Sequence, residues 1–141
     1  MATIRQGLYE YLKAQPAITA IVGDRIYPIQ APNSAKRPYV ILITTGLRSE
    51  PHLTAASRLA RGEFDIDCWA DSLSAAQNLS EAIRNELDGY QGLMGTVDCR
   101  RAIVNDQFDF TEQLKDGSER PAFRIKFDVD IWHFTSVPTF S

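Results

Sequence analysis

The sequence predicts an α+β fold in which a single antiparallel or mixed β-sheet carries two main helices packed on one face. Two long segments alternate apolar and polar residues at the period of a strand, and two others repeat apolar residues at helical spacing. The chain of 141 residues is 44% hydrophobic and 23% charged, which favours a buried core over disorder. We therefore expect one domain over residues 1–141, with its core at about 3–134 and a C-terminal tail at 135–141.

The N-terminal region predicts an amphipathic helix followed by a shorter one. Apolar residues recur at helical spacing between about residues 3 and 14, so one stripe of this helix should face the core. Pro16 starts the second helix, because proline is favoured in a first helical turn. Gly23 ends it, because glycine adopts the left-handed conformation common after a helix. The chain then leaves in an extended form through Asp24 to Pro28.

The middle of the chain predicts two strands separated by a long loop. Residues 39–45 place apolar and β-branched side chains on both alternating sets, which is typical of a central strand covered on both faces. Residues 46–60 show neither period for most of their length and predict a flexible loop. Leu59 to Ala70 alternates cleanly, which predicts a strand with one core face and one solvent face.

The second half predicts a helix, weaker strands and a final long strand. Leu73 to Leu87 has helical periodicity, and either Asp71 or Ser72 can cap its N-terminus. Residues 93–106 predict one or two strands, and the charged, turn-rich residues at about 111–121 predict a second flexible loop. The last strand is indicated by regular alternation, in which Phe123, Ile125, Phe127, Val129 and Ile131 are separated by Arg124, Lys126, Asp128 and Asp130.

Four carboxylates on the polar faces of two strands are the most suggestive chemical group in the sequence. Such a cluster can hold a divalent cation or perform acid–base chemistry. We favour a structural interpretation, because opposite charges can pair across neighbouring strands. The carboxylates are Asp65, Asp67, Asp128 and Asp130. The proposed antiparallel register sets Arg61 opposite Asp130, Glu63 opposite Asp128, Asp65 opposite Lys126 and Asp67 opposite Arg124.

Other candidate sites have little support in the sequence. Cys68 and Cys99 lack the spacing of a zinc or redox pair, so we expect both to be buried, free thiols in a reducing compartment. Neither His52 nor His133 has a nucleophile motif nearby. We assign no catalytic residue, metal site or cofactor. The net charge of −3 argues against a general nucleic-acid binder, and no apolar run is long enough to predict membrane contact.

Trp69 and Trp132 occupy the polar sets of their predicted strands. Exposed aromatic residues on a charged face are candidates for a protein interface, where tryptophan, tyrosine and arginine are enriched. Packing under a loop at the edge of the sheet explains these positions equally well. Both interpretations remain open at this point.

Two motifs and the order of the elements around them resemble a known family. The motifs are VGDRIYP at Val22 to Pro28 and FDIDCWAD at Phe64 to Asp71. They occur in the order helix, VGDRIYP, strand after a proline, FDIDCWAD, helix ending in LDGYQG, and last strand ending in IWH. From about Leu8 to His133 this order resembles the phage tail-completion proteins, also described as tail terminators or tail-to-head joining proteins.

The resemblance implies a non-enzymatic virion protein that assembles as a ring, six-fold in the best-known relatives. Such a ring caps the tail tube and joins it to the head connector or stopper, and DNA passes through it as cargo. The implied location is the head–tail junction of the virion, and the host cytoplasm during assembly. We expect partner contacts from the charged loops and the polar faces of the strands, namely from Arg48, Glu50, Arg58, Arg61, Trp69, Lys115, Asp116, Glu119, Arg120 and Trp132.

Three alternatives remain open. A stopper or adaptor protein at the same junction would share the setting but not the position in the particle. A gene-transfer particle or a cellular tail-like particle would change the setting and leave the mechanism unchanged. A protein of another class, a small-ligand or metal-binding enzyme, would use the face with Asp65, Asp67, Asp128 and Asp130. That enzyme should be monomeric or dimeric, and its melting temperature should rise with its ligand.

Overall fold

The computed structural model describes residues 3–32, 34–49, 59–113 and 121–134. These residues form three helices and one six-stranded mixed sheet with the strand order β1-β2-β3-β6-β5-β4. The α+β prediction is thereby confirmed, including the helices on one face. The elements are α1 (Ile4–Lys13), α2 (Pro16–Val22), β1 (Ile26–Pro28), β2 (Tyr39–Ser49), β3 (Leu59–Ala70), α3 (Leu73–Leu87), β4 (Gly92–Met94), β5 (Val97–Gln113) and β6 (Pro121–Phe134).

The helices begin and end close to where the sequence predicts. The hydroxyl of Thr3 accepts a hydrogen bond from a backbone N–H at 3.1 Å in the first turn of α1. Ser72 does the same at 3.1 Å for α3, so Ser72 and not Asp71 is the cap. Such caps are worth about 1 kcal/mol each. Asp71 instead accepts from Arg37 at 2.7 Å. Gly23 ends α2 as predicted and has a positive φ of +60°, but its ψ of −123° lies outside the predicted left-handed conformation.

The core lies between the helices and one face of the sheet. Leu8 of α1, Ile83 of α3 and Phe64 of β3 belong to one cluster of fully buried apolar side chains. Cys68 and Cys99 are both buried and free, which confirms that prediction. Among the helices in the described ranges, none is both long and apolar enough to cross a bilayer.

Strand β2 is longer than the sequence predicts, and it is not central. It runs to Ser49, so the prediction of a loop at residues 46–49 is wrong. A bulge between Thr44 and Gly46 shifts the alternation by one residue, and this shift hides the strand in the sequence. Beside β2, the edge strand β1 pairs only with residues 40–42.

Strand β5 also extends into a predicted loop. It continues through Gln113 and pairs there with Pro121 at the start of β6, so the loop prediction is wrong for residues 111–113 and 121. Residues 59–60 of the first predicted loop belong to β3, and the remaining residues of the two predicted loops, 50–58 and 114–120, lie outside the described residues. The predicted C-terminal tail at 135–141 also lies outside them.

Candidate functional site

The side chains of β3 and β6 that point away from the buried apolar set form a charged surface, here called the polar face. Neighbouring residues of a strand project to opposite sides, so alternate positions of β3 and β6 share this face. The burial pattern of β3 follows this alternation from Leu59 to Ile66. The polar face consists of Arg61, Glu63, Asp65, Asp67 and Trp69 of β3 and Arg124, Lys126, Asp128, Asp130 and Trp132 of β6.

The predicted register between these two strands is wrong by two residues. A slip of two residues keeps every apolar side chain on the core face, so the hydrophobic pattern alone cannot exclude it. The observed register pairs all twelve residues of β3 with β6. Across the polar face it sets Arg61 opposite Trp132, Glu63 opposite Asp130, Asp65 opposite Asp128, Asp67 opposite Lys126 and Trp69 opposite Arg124.

Two of the predicted ion pairs nevertheless form, diagonally and not directly across. Lys126 Nζ lies 3.0 Å from Asp65 Oδ2, and Arg124 Nη2 lies 3.3 Å from Asp67 Oδ2. Long side chains can reach such diagonal neighbours in a sheet. The third predicted pair is replaced, because Arg61 Nη2 lies 3.3 Å from Glu63 Oε1 of its own strand.

The centre of the polar face is acidic. Asp65 lies directly opposite Asp128, and Glu63 lies directly opposite Asp130. Like charges facing each other across a sheet are destabilising, and here Lys126 offsets part of this charge. These four carboxylates, which include Glu63 and not Asp67, line a shallow depression of about 690 Å³. Within the described ranges, no three histidine, cysteine, aspartate or glutamate side chains are grouped so that they could hold a metal ion.

Aromatic rings continue the polar face towards strand β1. The rings of Tyr27 and Tyr39 lie 5.9 Å apart, and Tyr39 stacks on Trp69 at 5.9 Å with 17° between the ring planes. The guanidinium of Arg124 lies 5.4 Å from the centre of the Trp69 ring. At the other end of the face, an arginine lies 5.8 Å from the ring of Trp132. Both tryptophans are half-buried and contact cations, a combination common in protein interfaces.

Asp67 is unusually buried for a carboxylate on this face, with 4% of its surface exposed. Burial raises its pKa above the usual range, although Arg124 and Lys126 act in the opposite direction. Its Oδ1 atom and the Nε1 atom of Trp69 are buried without a hydrogen-bond partner among the described residues. A buried acceptor and a buried donor therefore lie two residues apart on one strand.

Cys99 and His133 lie opposite each other on the core side of β5 and β6, and both side chains are buried. Burial raises the pKa of the Cys99 thiol to about 11, while burial lowers the pKa of His133 below its usual value. Both groups are therefore neutral near pH 7. A thiolate is the nucleophilic form of cysteine, so this thiol is not activated.

Two long strand edges have no neighbouring strand among the described residues. On β2, pairing with β1 ends at Leu42, so residues 43–49 form what we call the β2 edge. On β5, pairing with β4 is confined to residues 97–99, and the backbone of Ala102 bonds to Gly89 and Tyr90. The carboxylate of Asp88 then accepts from the N–H of Val104 at 3.1 Å. Residues 105–113 form what we call the β5 edge.

The structure assigns the predicted contact residues to three groups. Arg61, Trp69 and Trp132 lie together on the polar face, and Arg48 lies in the β2 edge. Sequence reasoning missed the two strand edges, because the bulges that interrupt β2 and β5 break their alternation. Glu50, Arg58, Lys115, Asp116, Glu119 and Arg120 lie outside the described residues.

Comparisons with known proteins match nearly the whole chain. The family described as tail completion protein gp17 matches residues 6–133. A chain from the virion of a native gene transfer agent particle has a similar fold, with 14% identity and a TM-score of 0.63 over 91% of this chain and 92% of that chain. A second solved chain is 14% identical, with a TM-score of 0.45 over 87% of this chain and 94% of its own. Among curated protein sequences, none matches.

The family match and the resemblance of the two motifs cover almost the same residues. The fold agrees with that of the virion chain along most of both sequences. The chain therefore belongs to the tail completion protein gp17 family, a family of structural proteins of phage tails.

Proposed function

We propose that the protein assembles as a ring, six-fold as in the best-known relatives, that caps the tail tube and joins it to the head connector. The observation that carries this proposal is the family match over residues 6–133, which leaves only short ends of the chain unmatched. In this proposal the chain folds as one domain and acts as a structural component, with no chemical step. Its place is the head–tail junction of the virion.

The topology of the sheet supports a position between two different partners. Residues 50–58 connect β2 to β3 at one end of the sheet, where Ser49 lies opposite Ala60. Residues 114–120 connect β5 to β6 at the opposite end, where Gln113 lies opposite Pro121. In the proposed ring, one connection meets the tail tube and the other meets the head connector. The charged residues proposed for these contacts are Arg48, Glu50 and Arg58 at one end and Lys115, Asp116, Glu119 and Arg120 at the other.

The polar face supports a role as the wall of the channel. Its central carboxylates face one another across β3 and β6, so this surface repels phosphate groups. A protein that grips DNA needs clustered lysine and arginine, whereas a wall that DNA slides past needs to avoid such contacts. In the proposed ring the polar face lines the channel and the helices lie outside.

Shortened connections test the proposal. One variant replaces residues 51–57 with a short glycine–serine linker, and a second does the same for residues 115–119. The wild-type protein should bind the ends of purified tail tubes as a ring in electron micrographs. Each variant should retain the wild-type circular dichroism spectrum and lose only one of two activities, binding to tubes or joining to heads.

Three results would contradict parts of this proposal. A wild-type protein that ignores tail tubes but binds connectors would be a stopper or adaptor. A protein that binds neither would have no role at the junction. If both variants kept both activities, the two connections would not be the contact sites, although the ring could still cap the tube.

A further inference from the structure

We propose that neighbouring copies in the ring are joined by antiparallel pairing between the β2 edge of one copy and the β5 edge of the next. This inference rests on the proposed ring and specifies how its subunits bind one another. It follows from four features of the sheet: the direction of the outward backbone groups, the direction of the strands, the positions of the edges and their charges.

Backbone groups of the β2 edge point away from the rest of the sheet at alternate residues. Val40 donates to the carbonyl of Arg25, and the carbonyl of Leu42 accepts from Ile29, so even-numbered residues point outwards at the start of β2. Backbone groups alternate in direction along a strand, and the bulge after Thr44 shifts this alternation by one residue. The outward groups of the β2 edge therefore belong to Thr44, Leu47 and Ser49.

The β5 edge has a matching set of outward groups. Ala102 bonds outwards to Gly89 and Tyr90 rather than to β6, and this fixes the alternation along β5. Ala102 lies opposite Ile131, and the same odd-numbered set of β6 continues to Phe127, which lies opposite Gln107. The outward groups of the β5 edge therefore belong to Gln107, Asp109, Thr111 and Gln113. Open edges of this length act as templates for pairing with another chain.

The directions of the strands allow a rotated copy to pair. β2, β3, β6 and β5 are neighbours in that order, and each successive pair is antiparallel. β2 and β5 of one copy therefore run in opposite directions. When a second copy is placed beside the first by rotation about the ring axis, its β2 is antiparallel to the first copy's β5. The combined sheet then continues in a single antiparallel pattern.

The two edges lie at diagonally opposite corners of the sheet. Gly46, in the middle of the β2 edge, lies level with Glu63 and through it with Asp130 of β6. Asp109, in the middle of the β5 edge, lies opposite Ile125, five residues before Asp130 on β6. Five residues correspond to about 17 Å, and the distance from β2 of one copy to β2 of the next is four strand spacings, about 19 Å.

This offset suits a closed ring of strands. If all copies sit at the same height along the ring axis and pair with this offset, their strands are tilted by about 42° from the axis. Closed barrels typically have tilts of about 35–45°. Each copy then takes up about 25 Å of the circumference, so six copies form a closed wall of strands about 50 Å in diameter. Contact between two different edges is heterologous, and such contacts generate rings when the rotation closes.

The sequences of the two edges are complementary. The β2 edge, residues 43–49, contains Arg48 and no acidic residue. The β5 edge, residues 105–113, contains Asp106, Asp109 and Glu112 and no basic residue. Neither edge contains proline or lysine, which commonly protect strand edges from pairing. By contrast, the short outer strand β1 ends in Pro28. On the β2 edge, Leu47 is 58% exposed, and the side chains of a paired strand would cover part of it.

Proline substitutions at outward positions test this interface. Proline removes one N–H and is tolerated on an edge when that N–H faces solvent. Ser49→Pro and Thr111→Pro should therefore fold normally and remain monomeric under conditions in which the wild type forms rings, in solution or on tail tubes. Ser49→Ala and Thr111→Ala retain the N–H and should assemble as the wild type does. Light scattering gives the masses, and circular dichroism checks the fold.

A mixture of the two proline variants makes the test specific for contact between unlike edges. Ser49→Pro retains an intact β5 edge, and Thr111→Pro retains an intact β2 edge. Mixed together, they should form a dimer of one copy each and no ring. Self-association of either variant alone, or rings of the proline variants like those of the wild type, would overturn the proposed pairing. Such results would leave the capping function standing.

Hydrogen exchange in the wild-type ring provides a measurement without any substitution. On assembly the amides of Thr44, Leu47, Gln107, Asp109 and Thr111 should become protected at least tenfold. The amides of Arg48, Phe108 and Phe110, which point towards the rest of the sheet, should change little. A ring without this alternating protection has a different interface, and the pairing is then wrong whatever the proline variants do. A wild type that forms no ring in solution or on tubes contradicts the proposed function itself.

Discussion

Asp67 lies on the polar face, yet its side chain is buried. Its carboxylate can ionise, and only one of the two carboxylate oxygens has a partner among the described residues. One carboxylate oxygen contacts Arg124 at 3.3 Å, and the other has no hydrogen-bond partner among the described residues. Burial is the largest cause of its raised pKa. Because removal from water disfavours the charged form, ionised Asp67 makes the free energy of unfolding smaller at neutral pH.

Replacing Asp67 with asparagine should therefore change how stability depends on pH. A raised pKa in the folded state means that this group stabilises the protein fully below its unfolded pKa, near 3.9, and that this contribution is lost as the pH rises through the folded value. Asp67→Asn lacks the titration. The free energy of unfolding of Asp67→Asn minus that of the wild type should increase between pH 4 and pH 7 in urea titrations. The more exposed Asp98→Asn is the control, and an equal increase there would refute this explanation.

At the scale of elements, the position of α1 depends on one close contact with the turn between β4 and β5. A Cβ atom added at Gly7 would lie 2.6 Å from the carbonyl oxygen of Met94. That distance is too short for any side chain, and the obstacle is backbone rather than a flexible side chain. Glycine at this position therefore permits the helix to lie directly on the turn.

We expect Gly7→Ala to destabilise the fold by about 1–3 kcal/mol, as overpacking does in other proteins. The intrinsic preference of a helix for alanine over glycine, about 1 kcal/mol, acts in the opposite direction. The exposed Gln6→Ala in the same helix is the matched control, and its free energy of unfolding should change by less than about 0.5 kcal/mol. Stability equal to or above that of the wild type in Gly7→Ala would show that α1 can move off the turn at little cost.

The elements also show how far the sequence determines the fold. Regular alternation in β3 and the cap of α3 give these elements their observed bounds, since each rests on residues close together in sequence. The register of β3 on β6 is missed, because a slip of two residues leaves the apolar pattern intact. The end of β2 is missed because the bulge at Thr44 and Gly46 interrupts its period. The open edges exist because β1 and β4 are much shorter than the strands they pair with, and this difference in length is seen only in the assembled sheet.

At the scale of the whole molecule, charge is distributed unevenly around a modest net value. The formal net charge is −3, yet four carboxylates share the centre of the polar face. Local potential, more than net charge, governs what a surface attracts or repels. The same face has aromatic rings and arginines at its ends. A ring built from this molecule would therefore be acidic along the middle of its proposed channel.

Reversing one of these charges should slow the passage of DNA without preventing assembly. Particles carrying Asp130→Lys should join tails to heads normally and release DNA more slowly than wild-type particles. The difference should shrink at high salt, because screening weakens contact with phosphates. Glu81→Lys makes the same charge change on the exposed side of α3 and should leave release unchanged. Equal release by all three particles, measured with a DNA-binding dye, would argue against the polar face as the channel wall.

The short strands β1 and β4 cover opposite halves of the two outer edges, and this has a kinetic consequence for the proposed ring. A growing arc of copies always has one unpaired edge at each end, and each added copy loses translational and rotational entropy when it binds. Closure is different, since the last contact forms within one molecule at a high effective concentration. Partial arcs should therefore be short-lived, so that a tail end has either no terminator or a complete one. Tail growth would then end in a single ring-closure event per particle, and that event would be effectively irreversible.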